Sequence, residues 1–147
     1  LSDGIEKKLY EYFKDSSRKW ILKPGVNTLF EQLKMHGINI GLISNFSNKL
    51  NDIIDLFNIR PYINCLLISQ DAGVEKPNTL FYELFFSKSS FHKNESFYIG
   101  DNYILDYLPA TTLGLSSYLL DEDDFFCLQD ITIKSISDVM MLVKRLK

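Results

Sequence analysis

The chain has 147 residues, of which 46% are apolar and 24% charged, and its net charge is −3. That length and balance suit one globular domain with a sizeable core. The mild acidity gives no electrostatic reason to expect nucleic acid or an anionic membrane as partner. No stretch approaches the roughly 20 apolar residues of a membrane span.

In chain order, Ile5, Leu9, Tyr12 and Phe13 share a helical face within segment 1–22. That segment ends near Trp20 and precedes the first clear helix–strand unit. Residue 1 is Leu rather than Met, so a fragment or a processed product is expected. Val26, Leu29, Phe30 and Leu33 form a second helical stripe, framed by Pro24 and Gly37. The β-prone run "INIGLIS" (38–44) follows. Leu50, Ile53, Ile54 and Phe57 then predict a helix with Ser47 as its N-cap.

A second β-prone run, "NCLLIS" (64–69), contains Cys65, read as a small buried hydrophobe. Leu80, Phe81, Leu84 and Phe85 predict a helix after Pro77. Strands are predicted at "SFYI" (96–99), "SSYLL" (116–120) and "ITI" (131–133). The acidic run "DEDD" (121–124) reads as a solvated loop. Ile136, Val139, Met140 and Val143 predict a last helix, opened by the capping pattern Ser135-x-x-Asp138.

Several of these β-prone runs are apolar without alternation, as in strands covered on both faces. Helices alternating with such runs predict an α/β fold with a mostly parallel sheet. Cys65 and Cys127 lie far apart and lack CxxC spacing, which argues against a disulfide scaffold or zinc site. The expected setting is a reducing intracellular compartment, cytoplasmic or nuclear. His36 and His92 are isolated, and His36 beside Gly37 fits a favourable helix-end residue.

In an open parallel sheet, ligands bind beyond the carboxyl ends of the strands. After 38–43 come Ser44 and Asn45. After 64–69 comes "QDAGVEKP", with Lys76 before Pro77. After 96–99 come Gly100, Asp101 and Asn102, and then Asp106. Each group alone fits ordinary turn chemistry or, for Asp106, an acid in a first helical turn. Together they have a chemical logic. A phosphoryl group is held by neutral donors (Ser44, Asn45) and a cation (Lys76). Carboxylates suit a Mg²⁺ ion, which takes one or two of them plus water and phosphate oxygen.

"GLISNFSNKLNDII", "DAGVEKPNTLFYE" and "YIGDNYILDYLPATTLGL" resemble the second, third and fourth motifs of the haloacid dehalogenase-like (HAD) hydrolase superfamily, over roughly residues 20 to 120. The resemblance implies a Rossmann-like, mostly parallel three-layer core with a helical cap. It implies that Ser44 donates to the phosphoryl group with Asn45 beside it, and that Lys76 neutralises nucleophile and phosphate. It further implies that Asp101 ligates Mg²⁺, while Asp106 ligates it through water or orients Lys76. The substrate implied is a small phosphorylated metabolite.

Family members begin with a strand that ends in Asp-x-Asp, which supplies the nucleophile and the acid/base. Asp3 in "LSDGIEKK" follows no apolar strand and has no acid two residues on. The expectation is therefore a HAD core (23–147) lacking its first, central strand, with a remnant of the cap at 1–22. Such a chain is expected to be inactive for want of its nucleophile and to fold poorly alone. A non-catalytic pseudoenzyme binding a phospholigand or a protein is the alternative. A receiver-like signalling domain needs an acid pair after its first strand, whereas the strand ending at Ile43 closes on Ser-Asn. Carbon–halogen cleavage needs no metal, which leaves Asp101 and Asp106 without a role.

Overall fold

The computed structural model describes residues 20–126 and 130–145. Within them, helix α1 (Val26–Met35) leads into strand β1 (Ile40–Ser44). Helix α2 (Lys49–Leu56) connects to β2 (Ile63–Ile68). A short helix α3 (Ser69–Ala72) and the longer α4 (Thr79–Lys88) precede β3 (Phe97–Gly100). A π-helical turn (Tyr103–Tyr107) runs into α5 (Leu108–Thr112) and then β4 (Ser116–Leu120). Strand β5 (Thr132–Ile133), a 3₁₀ turn (Ile136–Asp138) and α6 (Val139–Arg145) complete the order.

Local chemistry explains the boundaries. Gly37, with φ of 69°, takes the left-handed conformation that stops α1. The Asn78 side chain accepts from the Leu80 N–H and opens α4. Ser135 and Asp138 form the predicted capping box at the start of the last helical segment. The predicted cap at Ser47 is replaced: Asn48 stands at the N-cap of α2, and neither side chain closes the end. His36 sits at the C-cap of α1, its Nδ1 2.8 Å from the Gln32 carbonyl oxygen, the helix-end role its neighbour Gly37 suggests.

Every strand pairing is parallel, β1 with β2 and β3 with β4 with β5. Helices cover both faces. On one, Leu29 and Leu33 of α1 join Val139, Leu142 and Val143 of α6, with Ile40, Phe97 and Ile99 packed against them. On the other, Phe81 and Phe85 of α4 pack with Leu67, and Tyr82 packs with Ala110 and Leu115 beneath Ile43 and Tyr98. Successive β3 residues thus alternate between the two layers. This is the α/β, mostly parallel arrangement expected from the alternation of helices and apolar runs, and the Rossmann-like, three-layer form that the family resemblance implies.

Two expectations need correction. Cys65 is only half-buried, packed beside the Phe81–Phe85 cluster. The "DEDD" run is not uniformly solvated: Asp121 is 5% exposed. Its carboxylate accepts from the Phe125 and Phe126 N–H groups and pairs with Lys134, which ties the loop back to β5. The proposed cap remnant at 1–22 lies almost wholly outside the described residues; of it, Trp20 stacks edge-on against Phe46.

The sheet is interrupted. Among the described residues β1 pairs only with β2, and β3 only with β4. Their free edges border one cavity of about 680 Å³, walled by α1 and α6 on one side and α4 on the other.

Candidate functional site

Three strand ends meet at one rim. Ser44 ends β1, half-buried, in register with Ile68 of β2. Asn45, the next residue, reaches across to the loop after α3. Its Nδ2 donates to the Lys76 carbonyl at 2.9 Å, and its Oδ1 accepts from the Lys76 N–H at 2.8 Å. This two-point clasp fixes the Lys76 backbone. The Lys76 ammonium then spans to the far side of the rim and donates to Asp106 Oδ1 at 2.5 Å.

Asp106 is 2% exposed, and each oxygen is engaged. Oδ1 also accepts from the Tyr98 hydroxyl at 2.7 Å, and Oδ2 from the Asn102 N–H at 3.1 Å. Burial pushes the Tyr98 hydroxyl far above its ordinary pKa, and the Asp106 charge adds to this. Tyr98 therefore stays a neutral donor. Tyr82 is raised too, mainly by burial, and its hydroxyl donates to the Leu105 carbonyl at 2.8 Å. Together these contacts satisfy a buried carboxylate that would otherwise be costly.

Gly100 makes the approach possible. A Cβ there would sit 2.2 Å from Asp106 Cβ, so only glycine lets the π-helical turn fold back onto the strand. The Asn102 side chain caps that turn by accepting from the Ile104 and Leu105 N–H groups. Asp101, between them, is exposed, and its carboxylate has no partner among the described residues.

The predicted residues thus have different surroundings. Asn45, Lys76 and Asp106 form one bonded chain across the rim, Ser44 adjoins it, and Asp101 faces outward beside it. Asp106 accepts from the Lys76 ammonium, the Tyr98 hydroxyl and the Asn102 N–H. For Mg²⁺, Asp101 is the exposed carboxylate at this rim without a partner among the described residues, and waters and phosphate would have to supply most of the other ligands. No cluster of three or more potential protein ligands occurs among the described residues, so any ion here would depend on those other oxygens.

Tyr98 and Tyr82 were missed, because an aromatic in a strand or on an apolar helix stripe reads as core. The Asp-x-Asp spacing does occur at Asp121 and Asp123, after β4. Asp121 is held in its own loop by Phe125, Phe126 and Lys134, which leaves it a structural part.

A family model described as haloacid dehalogenase-like hydrolase matches residues 3–119. A haloacid dehalogenase-like hydrolase domain-containing protein 3 from Xenopus laevis is 27% identical over 80% of this chain and 48% of its own length. A glyceraldehyde 3-phosphate phosphatase from Methanocaldococcus jannaschii is 28% identical over 83% of this chain and 56% of its own. The crystal structure of a HAD phosphatase from Thermococcus onnurineus superposes with a TM-score of 0.81 at 14% identity, covering 92% of this chain and 64% of that one. The chain spans about half the length of the curated relatives it matches. With the matched model covering most of its residues and its strand ends arranged as above, the chain belongs to the haloacid dehalogenase-like hydrolases.

Proposed function

We propose that the protein to which these residues belong is a Mg²⁺-dependent phosphomonoesterase acting on a small phosphorylated metabolite. In this reading Ser44 and the adjoining backbone receive the phosphoryl oxygens, and Lys76 neutralises their charge. Asp101 holds the ion, with Asp106 keeping the Lys76 ammonium aimed at the rim. Bound there, Mg²⁺ supplies charge neutralisation and polarises the phosphoryl oxygen. The observation that carries the reading is the Asn45–Lys76–Asp106 chain. It fixes a cation by its backbone and by its side chain at the rim where the strands end. A lysine largely withdrawn from solvent yet fixed at both backbone and ammonium is an uncommon placement for this residue, which supports a ligand-facing role. The phosphatase among its relatives supports the substrate class.

Covalent catalysis also needs a nucleophile. The reading gives Ser44 and Asp101 other roles, and Asp121 is tied into its own loop, so the nucleophile is assigned to a further Asp-x-Asp strand outside these 147 residues. The 147-residue chain alone is then inactive, and the whole protein is active. The test is phosphate release from a panel of sugar phosphates with MgCl₂. The whole protein should turn over, and Lys76→Met and Asp101→Asn should each lose about a hundredfold or more. Turnover that survives both substitutions, or that the 147-residue chain matches, refutes the assignment. A non-catalytic binder of phosphorylated ligands is the second reading, favoured if the whole protein binds phosphate through the same residues and releases none.

A further inference from the structure

Tyr98 and Gly100 stand two residues apart in β3, so both face the layer that holds α4. The space that a Gly100 side chain would fill is taken by Asp106. Its carboxylate therefore reaches back to the hydroxyl of Tyr98, which donates to Oδ1 at 2.7 Å. The Lys76 ammonium donates to the same oxygen at 2.5 Å. Oδ2 accepts from the Asn102 N–H at 3.1 Å. A hydroxyl needed to satisfy the carboxylate alone has the freer acceptor in Oδ2. Tyr98 instead shares the oxygen that holds the lysine. Its ring is kept there by edge-on packing against the fully buried Tyr82, with centroids 5.3 Å apart.

We propose that Tyr98 is a positioning residue of the phosphoryl site, which keeps Asp106 bonded while the Lys76 ammonium passes from Asp106 Oδ1 to a phosphoryl oxygen. This rests on the phosphatase reading, in which Lys76 meets the phosphoryl group. The Lys76 and Asp106 side chains are 13% and 3% exposed, so an ammonium that left would strand a buried carboxylate. With Tyr98 in place, each Asp106 oxygen retains a donor after that move: the hydroxyl on Oδ1 and the Asn102 N–H on Oδ2. Hydrogen bonds to an ionised acceptor are roughly twice as strong as neutral ones. The Tyr98 bond tightens further once the ammonium no longer competes for Oδ1.

The bonds at rest act in the same direction. A second donor on Oδ1 draws on the same negative charge, so the ammonium is held less tightly than it would be as the only partner of that oxygen. The Lys76 backbone stays clasped by Asn45 at 2.8 and 2.9 Å, so the side chain moves and the loop does not. Both effects favour the ammonium on the phosphoryl group, and both vanish with the hydroxyl. Tyr98 touches neither ligand nor ion in this scheme; it acts through Asp106 and Lys76.

The test titrates inorganic phosphate into the whole protein with MgCl₂ and reads the Kd by calorimetry. Tyr98→Phe should weaken phosphate binding about fivefold to tenfold. Lys76→Met should weaken it more. Adding Tyr98→Phe in that background should change the Kd by less than about twofold, because no ammonium is left to move. A tyrosine that serves the fold alone gives the same loss in both backgrounds, or none in either, and each of these results overturns the proposal while Lys76 keeps its role. A Kd that Lys76→Met leaves unchanged overturns the phosphatase reading and the proposal with it. Where a variant does not fold, NMR of the wild-type protein decides. The Tyr98 hydroxyl proton should move downfield as phosphate saturates and the Lys76 signals shift. A Tyr98 proton that stays fixed while Lys76 responds overturns the proposal alone; a silent Lys76 overturns both.

Discussion

The Lys76 ammonium donates to Asp106 Oδ1 at 2.5 Å, with the two side chains 13% and 3% exposed. A pair this buried contributes little net stability over apolar substitutes, but breaking it from one side leaves an uncompensated charge. Lys76→Met should therefore destabilise the fold by about 3 kcal/mol, with Tyr98 and the Asn102 N–H compensating part of the loss. Adding Asp106→Asn in that background should recover about half. Urea unfolding of the single and double variants checks this; additive losses would contradict it.

Gly100 and Gly41 are both places where a side chain meets an obstacle, but the obstacles differ. At Gly100 the new Cβ meets Asp106 Cβ at 2.2 Å, and Asp106 is held by three bonds and cannot swing away. Gly100→Ala should cost about 2–3 kcal/mol. At Gly41 the obstacle is the tip of the Phe85 ring, 2.3 Å away. Gly41→Ala should cost about 1–2 kcal/mol, and Phe85→Leu should relieve it. Denaturant midpoints at unchanged slope report both.

The buried hydroxyls make the fold sensitive to base. Burial holds Tyr98 and Tyr82 above their ordinary value of 10.0. A group raised in the folded state contributes stability that is complete below its unfolded pKa and declines as pH rises toward the folded one. The contribution of these two hydroxyls should thus be flat up to their ordinary value of 10.0 and fall above it. Tyr98→Phe should lower stability by about 1 kcal/mol at neutral pH through the lost bond. It should also reduce the alkaline slope, leaving the parts that belong to Tyr82, the Cys65 thiol and Lys134. Thermal melts across that range measure the slope, and an unchanged slope would contradict the assignment.

Asp121 contributes to the acid limb, beside Asp55, which a hydrogen bond from Arg60 also holds low. Burial alone would raise the Asp121 pKa, but the Phe126 and Phe125 N–H groups and Lys134 outweigh it and hold the carboxyl below its usual 3.8. A group lowered in the folded state contributes stability that is present above its unfolded pKa and lost as pH falls through the folded one. Loss should set in below 3.8, and Asp121→Asn should remove that part of the acid dependence. Melting temperatures between about pH 2 and 5 test it.

Much of the architecture was legible because parallel strands covered on both faces have little freedom in composition. "SSYLL" matched β4 residue for residue, and the other β-prone runs fell within a residue or two of β1, β2, β3 and β5. The residues ending β1 and β3, and the loop after β2 and α3, could be named because strand ends are where ligand chemistry collects. Three features were hidden for physical reasons. The burial of Asp121 depends on where its loop folds back, which composition does not encode. Tyr98 looks apolar until Asp106 is placed beside its hydroxyl. The π-helical turn at Tyr103–Tyr107 follows from Gly100 admitting Asp106 so closely, a tertiary contact with no local pattern.

The most direct test of the rim as a phosphoryl site is a titration of the 147-residue chain with inorganic phosphate, with and without MgCl₂, followed by backbone amide NMR. The account predicts that Ser44, Asn45, Lys76 and Asp101 shift together, that phosphate and Mg²⁺ each strengthen the other's effect, and that Asp101→Asn abolishes the coupling. Shifts confined to other parts of the surface, or a response unchanged in Asp101→Asn, would contradict it.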